Sequence, residues 1–294
     1  MARALIGPRE WHDRGVRVGF ALVSLVALLG AVATLLPFAW MLLTSVRPAE
    51  DLFQFPAHWM PSRWDFSAYG QVLGRLPLAR YFANTLLVAS LTVLGQLSVG
   101  ALAAWSLARL KPRLAGLWSL LFAATLMVPM EALVVPLYLQ LRAFPLGVQG
   151  TGLNLLDTLP ALILPGLASA FNVFVLRGFF SRLPQEVLDS AKLDGCSEWG
   201  VFFRFALPLS RPILTVLGIF GFIAAWNAFF WPLVALSDPS HYTLMLGVQK
   251  MLETGEPWNV VMAAVTLATL PSLAVFLAFQ RWISRGLAFT GLYQ

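Results

Sequence analysis

Five stretches of this chain run for at least 19 residues without a charged side chain, and a sixth is broken by one glutamate. They lie between Arg17 and Arg47, Arg80 and Arg109, Asp157 and Arg177, Arg211 and Asp238, and Glu256 and Arg281, with the interrupted one, containing Glu131, between Arg113 and Arg142. About 20 apolar residues in helical form cross the hydrocarbon of a bilayer, and a backbone in lipid must satisfy its hydrogen bonds internally. The predicted fold is therefore all-α and integral to the membrane. Six transmembrane helices are expected near residues 18–45, 81–108, 115–140, 159–181, 212–236 and 259–282. Of 294 residues, 59% are hydrophobic and 12% charged, against about 25% charged in a soluble domain. The whole length, residues 1–294, reads as one membrane domain, with no polar tract long enough for a second core. Any energy-converting module is expected on another chain.

Arg3, Arg9, Arg14 and Arg17 precede the first run. They resemble the start of a signal peptide, but the apolar part far exceeds the roughly 7 to 15 residues such a peptide uses, so a retained helix is expected. With the N-terminus inside, 14 lysines and arginines fall on the cytoplasmic side and six outside. That asymmetry places both termini in the cytoplasm. The segment from Pro48 to Leu78, carrying Trp59, Pro61, Trp64, Phe66 and Tyr69, becomes an external loop, read as an interfacial lid. Ser237 to Trp258 is a second external loop, read either as a solvated connector or as a contact for an external partner.

The lone Cys196 excludes an intrachain disulfide, and His12, His58 and His241 lack metal-ligand spacing. No metal site is expected. The net charge of +6 is dispersed over short connections without interleaved aromatics, which argues against nucleic acid.

Between the fourth and fifth runs stands EVLDSAKLDGCSEWGVFFRFALPLSRP, Glu186 to Pro212. Pro184 suits a first helical turn, and Val187, Leu188 and Ala191 recur at helical spacing. Gly195 is fitted to the left-handed residue that ends a helix, and Ser197 to the cap of the next. Trp199, Phe202 and Phe203 are expected on one face of that second helix, with Pro208 stopping it. Two helices this short need a surface to lean on. Either they lie on lipid or on their own membrane domain, or they fill a groove in another protein, with Ala191 and Gly195 permitting close approach.

The spacing Asp189-Ser190-Ala191, three residues, Gly195, nine residues, Phe205, one residue, Leu207-Pro208 resembles the coupling motif of binding-protein-dependent ABC importer permeases. That family carries E-A-A, three, G, nine, I, one, L-P. Asp189, Ser190 and Phe205 depart from the family form while keeping its rough chemistry. NTLLVA after Tyr81, AAWSLARL at Ala103, MVPMEALVVPLYLQL at Met127, ALILP at Ala161, FNVFVLRGFFSRLPQEV at Phe171, WNAFFWPL at Trp226, MAAVTLATLP at Met262 and QRW at Gln280 are similar, in order, to the smaller maltose-type sugar permease. The likeness runs from about Leu36 to Leu292. It implies a bacterial inner-membrane importer: this chain, a sister permease, two cytoplasmic ATPase subunits that use ATP and magnesium, and an extracytoplasmic solute-binding protein. It also implies a cytoplasmic helix-turn-helix coupling insert at about 182–210, with Glu186, Asp189, Ser190, Ala191, Asp194, Gly195, Phe205, Leu207 and Pro208 as coupling residues. The chain itself contains no G-x-x-x-x-G-K-[ST] loop, and no cofactor is expected in it.

Polar residues inside apolar runs are the candidates for a solute path. An ionised Glu131 at mid-bilayer would cost roughly 2.5 to 3.5 kcal/mol, so it is expected to face protein or water, or to be held neutral by desolvation. Gln96, Asn172 and Asn227, with Trp226 and Trp231 beside the last, suit sugar hydroxyls. The plainer reading is that these amides tie helices together, at about 0.6 kcal/mol each. The resemblance implies that the sister permease supplies most ligand contacts. Carbohydrate is the expected solute class, with a glycerol phosphate or its diesters as the alternative. A multispan lipid-modifying enzyme using Glu131 as base is the competing class, but no G-x-S-x-G or H-E-x-x-H motif accompanies that acid.

Overall fold

Apolar runs fold as helices wherever proline does not interrupt the hydrogen-bond ladder, and the computed structural model follows that rule. It describes residues 14–54, 60–145, 147 and 152–291. Arg3, Arg9, His12, His58 and Trp59 lie outside the described residues. The helices are α1 (Arg14–Ser45), α2 (Ser67–Arg75), α3 (Leu78–Trp105, prolonged by a π-turn over Ser106–Leu110), α4 (Ala115–Thr125), α5 (Met130–Arg142), α6 (Leu159–Ile163), α7 (Ala170–Ser181), α8 (Gln185–Leu193), α9 (Glu198–Val201), α10 (Leu207–Leu209), α11 (Arg211–Trp226), α12 (Phe230–Ala235), α13 (Leu244–Glu253) and α14 (Trp258–Gly291). Among the described residues there is no sheet, only one antiparallel bridge between Phe144 and Leu153. Four helical segments are long and apolar enough to cross a membrane, and six are if two bent pairs each count as one span.

Three predicted spans are interrupted. The third bends by 103° between α4 and α5. Pro129 has no N–H and pushes Val128 away from helical backbone, so the chain leaves α4 in tight turns and restarts after Pro129 in extended conformation. Glu131 then stands in the first turn of α5, where the helix dipole favours a negative charge. The fourth span passes from α6 through a 3-10 turn at Leu164–Gly166 before α7. The fifth ends at Trp226 instead of running to 236. Asn227 turns its amide back onto the Ile223 carbonyl at 2.8 Å, and the restart at Phe230 puts Pro232 in a first turn, where its missing N–H leaves no bond unmade.

The chain folds as two compact units. The first comprises residues 1–75 and 255–266. In it Asn259 donates to the Arg47 carbonyl at 3.0 Å, Ser45 and Tyr69 share a hydrogen bond at 2.8 Å, and Arg75 pairs with Glu256. Residues 17–40 of α1 are exposed, apolar surface that lipid or a second apolar chain must cover.

The second unit, residues 76–254 and 267–294, is organised around α3, which packs chiefly on α7 and α11. Close approach rests on small residues, as is usual for membrane helices: a Cβ at Gly100 would stand 3.2 Å from that of Asn172. The indole of Trp226 donates to the Ala268 carbonyl at 3.0 Å and meets the ring of Phe82 edge-on. The predicted external connector from Ser237 to Trp258 is more ordered than a solvated loop. Its α13 buries Leu244, Leu246, Val248 and Met251, while Asn84 on α3 donates to the carbonyls of Ser240 and Tyr242, both at 3.0 Å.

Candidate coupling insert and solute path

Residues 182–210 form two short helices around a bend, each end closed by local chemistry. Glu186 sits in the first turn of α8 and Lys192 in the last, both matched to the helix dipole. Gly195 has φ +84°. Its N–H reaches the Lys192 carbonyl and the Cys196 N–H reaches the Ala191 carbonyl, both at 3.0 Å, the paired bonds of a Schellman C-cap. Ser197 Oγ then accepts from the Gly200 N–H at 3.2 Å to open α9, and Lys192 pairs with Glu198 across the bend.

Leu188 and Ala191 point inward, into a cluster that holds Trp105, Phe180, Val201 and Phe202. Trp105 meets Phe180 edge-on at 5.5 Å and Phe202 at 5.6 Å, contacts worth about 0.5 to 1.5 kcal/mol each beyond their buried area. Arg109, expected from the sequence only as one of the inside cations, ties the end of α3 to the insert. Its guanidinium donates to the Phe180 carbonyl at 2.8 Å, the Leu183 carbonyl at 2.5 Å and Gln185 Oε1 at 2.6 Å. Gln185 in turn donates to Asp189 Oδ1 at 2.8 Å. The first acid of the motif is thus hydrogen-bonded, through one amide, to the arginine at the end of a spanning helix.

Three expectations for the insert are corrected. Ala191 is 3% exposed: it lets α8 approach its own bundle, since it shares a face with Leu188 three residues earlier. Phe202 is buried while Trp199 and Phe203, four apart, stack outward at 6.0 Å, because one helical face carries residues at i and i+4. Pro208 does not stop the second helix. A π-turn over Phe202–Ala206 leads into α10, and helical backbone continues to Leu209 before a 72° bend into α11. Phe205 and Leu207 pack against the inner cluster. The outward face combines the exposed Glu186, Asp189, Ser190, Asp194 and Gly195 with Leu193 (89% exposed), Trp199 (64%) and Phe203 (55%).

The path candidates do not converge. Gln96 lines a cavity of about 270 Å³ bordered by α3, α6, α11 and α12, with Trp231 in its wall. Asn172 is buried where α7 meets α3. Trp226 is 1% exposed, with its N–H already used. Asn227 is exposed and hydrogen-bonded to its own helix, and Glu131 is exposed on the first turn of α5. Thr92 and Thr243, absent from the expected path residues, line the same cavity as Gln96. A threonine inside an apolar helix, Thr92 in α3, was the available signal.

Residues 96–289 match the family described as binding-protein-dependent transport system inner membrane component. The chain is 32% identical over 285 residues to the sn-glycerol-3-phosphate transport system permease protein UgpE of Pectobacterium atrosepticum, covering 94% of this chain and 97% of that protein. It is 30% identical over 271 residues to the diacetylchitobiose uptake system permease protein NgcG of Streptomyces coelicolor, covering 90% of this chain and 86% of the relative. Among solved structures, a chain of a bacterial ABC transporter involved in the import of the acidic polysaccharide alginate shares the fold, with a TM-score of 0.77 at 22% identity over 92% of this chain and 98% of that one.

Proposed function

The chain belongs to the binding-protein-dependent transport system inner membrane components, as a permease of the sugar type, and from that premise we propose how it couples ATP hydrolysis to the inward movement of a carbohydrate or related solute. It is a transport subunit. In this reading it works beside a sister permease, receives solute from an extracytoplasmic binding protein, and takes its power stroke from two cytoplasmic ATPase subunits that hold ATP and magnesium. The helix-turn-helix at 182–210 is the coupling insert and faces the cytoplasm, as do both termini, and residues 1–294 act as one permease domain.

The observation that carries this reading is the division of the insert into two faces. Leu188, Ala191 and Phe202 fix it to α3 and α7, while Leu193, Trp199 and Phe203 leave a large apolar area uncovered beside Glu186, Asp189 and Asp194. An amphipathic helix pair with an exposed aromatic-aliphatic ridge is suited to a groove in another protein, and large uncovered apolar patches mark such contacts. Among the described residues no heavy atom lies within 4 Å of where a Cβ at Gly195 would stand, so the bend itself is open to a partner. Phe205 and Leu207 serve the same insert from behind, by seating it on the bundle, and Pro208 lies in α10 between that seat and the bend into α11.

The test is binding-protein-stimulated ATP hydrolysis in the reconstituted complex carrying Leu193→Asp or Gly195→Asp. Both variants should insert and assemble, yet lose most of the stimulation. Unchanged stimulation in both would defeat the coupling role. A glycerol phosphate is the second solute reading, favoured by the identity to the glycerol-3-phosphate permease. Gln96 is the path residue best supported by geometry. Asn172, Trp226 and Asn227 are assigned to helix packing and chain reversal instead, and Glu131, exposed on the first turn of α5, stays a path candidate.

A further inference from the structure

Many helical serines and threonines in this protein bond a carbonyl three or four residues back, among them Thr85 to Tyr81, Ser119 to Ala115, Thr125 to Phe122 and Thr266 to Met262. Thr92, in the middle of α3, does not. Thr243 stands at the N-cap of α13, where a threonine ordinarily accepts from the third backbone N–H, and it makes no side-chain cap bond. Both residues are buried, at 6% and 3% exposure, and both hydroxyl oxygens lack a partner. A buried hydroxyl without a partner has given up its bonds to water and received nothing in return. Thr44, in the other unit, shares this state, but Thr92 and Thr243 also border one cavity.

At about 270 Å³ the cavity stands just below the small end of ligand pockets, about 300 Å³. Thr92, Gln96 and Thr243 are its polar lining residues, with both threonine hydroxyls turned away from the open space, Trp231 forms an aromatic wall, and none of the described lining residues is charged. Its walls are kept low by glycine: a Cβ at Gly221 would stand 3.3 Å from Gln96 Oε1, and one at Gly166 would stand 2.6 Å from Thr92 Cγ2. Trp231 is fixed by donating its N–H to the Ala161 carbonyl at 2.9 Å, and Thr243 is carried by a segment pinned on both sides, through Asn84 to Tyr242 and through Thr85 to the Leu244 N–H at 2.8 Å.

We infer that this cavity is a subsite for an uncharged, hydroxyl-bearing part of the transported solute, one sugar ring or one glycerol unit, with Thr92, Thr243 and Gln96 as its hydrogen-bonding groups. The inference rests on the importer reading and deepens it: a phosphate or carboxylate on the solute must be bound elsewhere, because an anion here would meet no cation. The rotation of each threonine about χ1 that presents its hydroxyl breaks no existing bond.

The experiment uses the complete importer in nanodiscs, with Ala228→Cys in the cavity lining and Cys196→Ser. The rate of thiol labelling at position 228 is measured with maltose, glycerol, sn-glycerol 3-phosphate and inorganic phosphate as separate probes. Maltose or glycerol should slow labelling, sn-glycerol 3-phosphate should do so no better than glycerol, and phosphate should have no effect. Thr92→Val with Thr243→Val should weaken the protection by about tenfold or more. Protection by inorganic phosphate, protection by none of the probes, or protection that survives the double substitution would overturn the subsite. Binding-protein-stimulated ATP hydrolysis in the same preparation tests the importer reading separately: its absence sinks that reading, while the labelling still decides the cavity.

Discussion

Arg109 Nη2 lies 2.5 Å from the Leu183 carbonyl oxygen, a bond that joins the end of α3 to the residue just before Pro184, the N-cap of α8. With its bonds to Phe180 and Gln185, it places a cation at the C-terminal end of α7, where the dipole favours one. Arg109→Ala leaves two carbonyls and an amide without this donor. The expected cost is about 2 kcal/mol or more, since hydrogen bonds to charged groups are worth about 1.5 to 3 kcal/mol each, read as a lower thermal midpoint of the purified complex. Arg109→Lys should recover only part, because an ammonium cannot reproduce the planar fork that meets three acceptors.

Gly195 tests the bend. A side chain there meets no neighbour among the described residues but forces an L-residue into left-handed backbone, at about 1 to 2 kcal/mol. Gly195→Ala should therefore destabilise modestly and leave ATPase stimulation largely intact, whereas Gly195→Asp should abolish stimulation at a similar stability. Equal loss of stimulation in both would assign the residue to backbone geometry alone.

Trp226, expected on the solute path, is a packing residue. Trp226→Phe should cost about 1 kcal/mol for the lost bond to Ala268. Trp226→Ala should cost roughly 3 to 5 kcal/mol from the cavity it leaves. Neither should change the apparent affinity for solute by more than about twofold, as uptake by proteoliposomes will show.

Outside the spans, Ser62 donates its hydroxyl at 2.6 Å and its N–H at 2.9 Å to Asp51 Oδ2, and these bonds hold the carboxyl below its ordinary value of 3.8. A depressed carboxyl stabilises the fold above its unfolded value and ceases to do so as pH falls through its folded value. Hydrogen exchange near Ser62 should therefore accelerate as the pH is lowered below about 4, beyond the intrinsic change of rate. Asp51→Asn should remove that dependence.

Much of this was legible in the sequence because lipid leaves few choices. The apolar runs locate the helices, and Gly195 and Ser197 mark the cap and the restart of the insert by residue type alone. Breaks are harder to read. Pro129 and Pro232 are visible, but proline is tolerated in membrane helices when neighbours satisfy the freed carbonyls, and only tertiary packing decides between a kink and a restart. Pro37 and Pro271 stay inside continuous helices in the same chain. The π-turn at Phe202–Ala206 adds a residue to the helical count, and the helix ends at Leu209, one residue past Pro208 instead of before it. Arg109 and Thr243 are illegible for a common reason: what each does depends on residues far along the chain, about 70 positions away for Arg109 and about 160 for the Thr85 bond that pins the residue after Thr243.

The central claim is that the ridge of Leu193, Trp199 and Phe203 works against a cytoplasmic ATPase. Leu193→Cys, in a Cys196→Ser chain within the assembled importer, tests it through crosslinking to the ATPase subunit and through labelling by membrane-impermeant thiol reagents from each side. The account predicts a crosslink to the ATPase, and labelling from the cytoplasmic face that the assembled ATPase suppresses. Labelling from the extracytoplasmic face, or crosslinks to lipid alone throughout the ATP cycle, would contradict it.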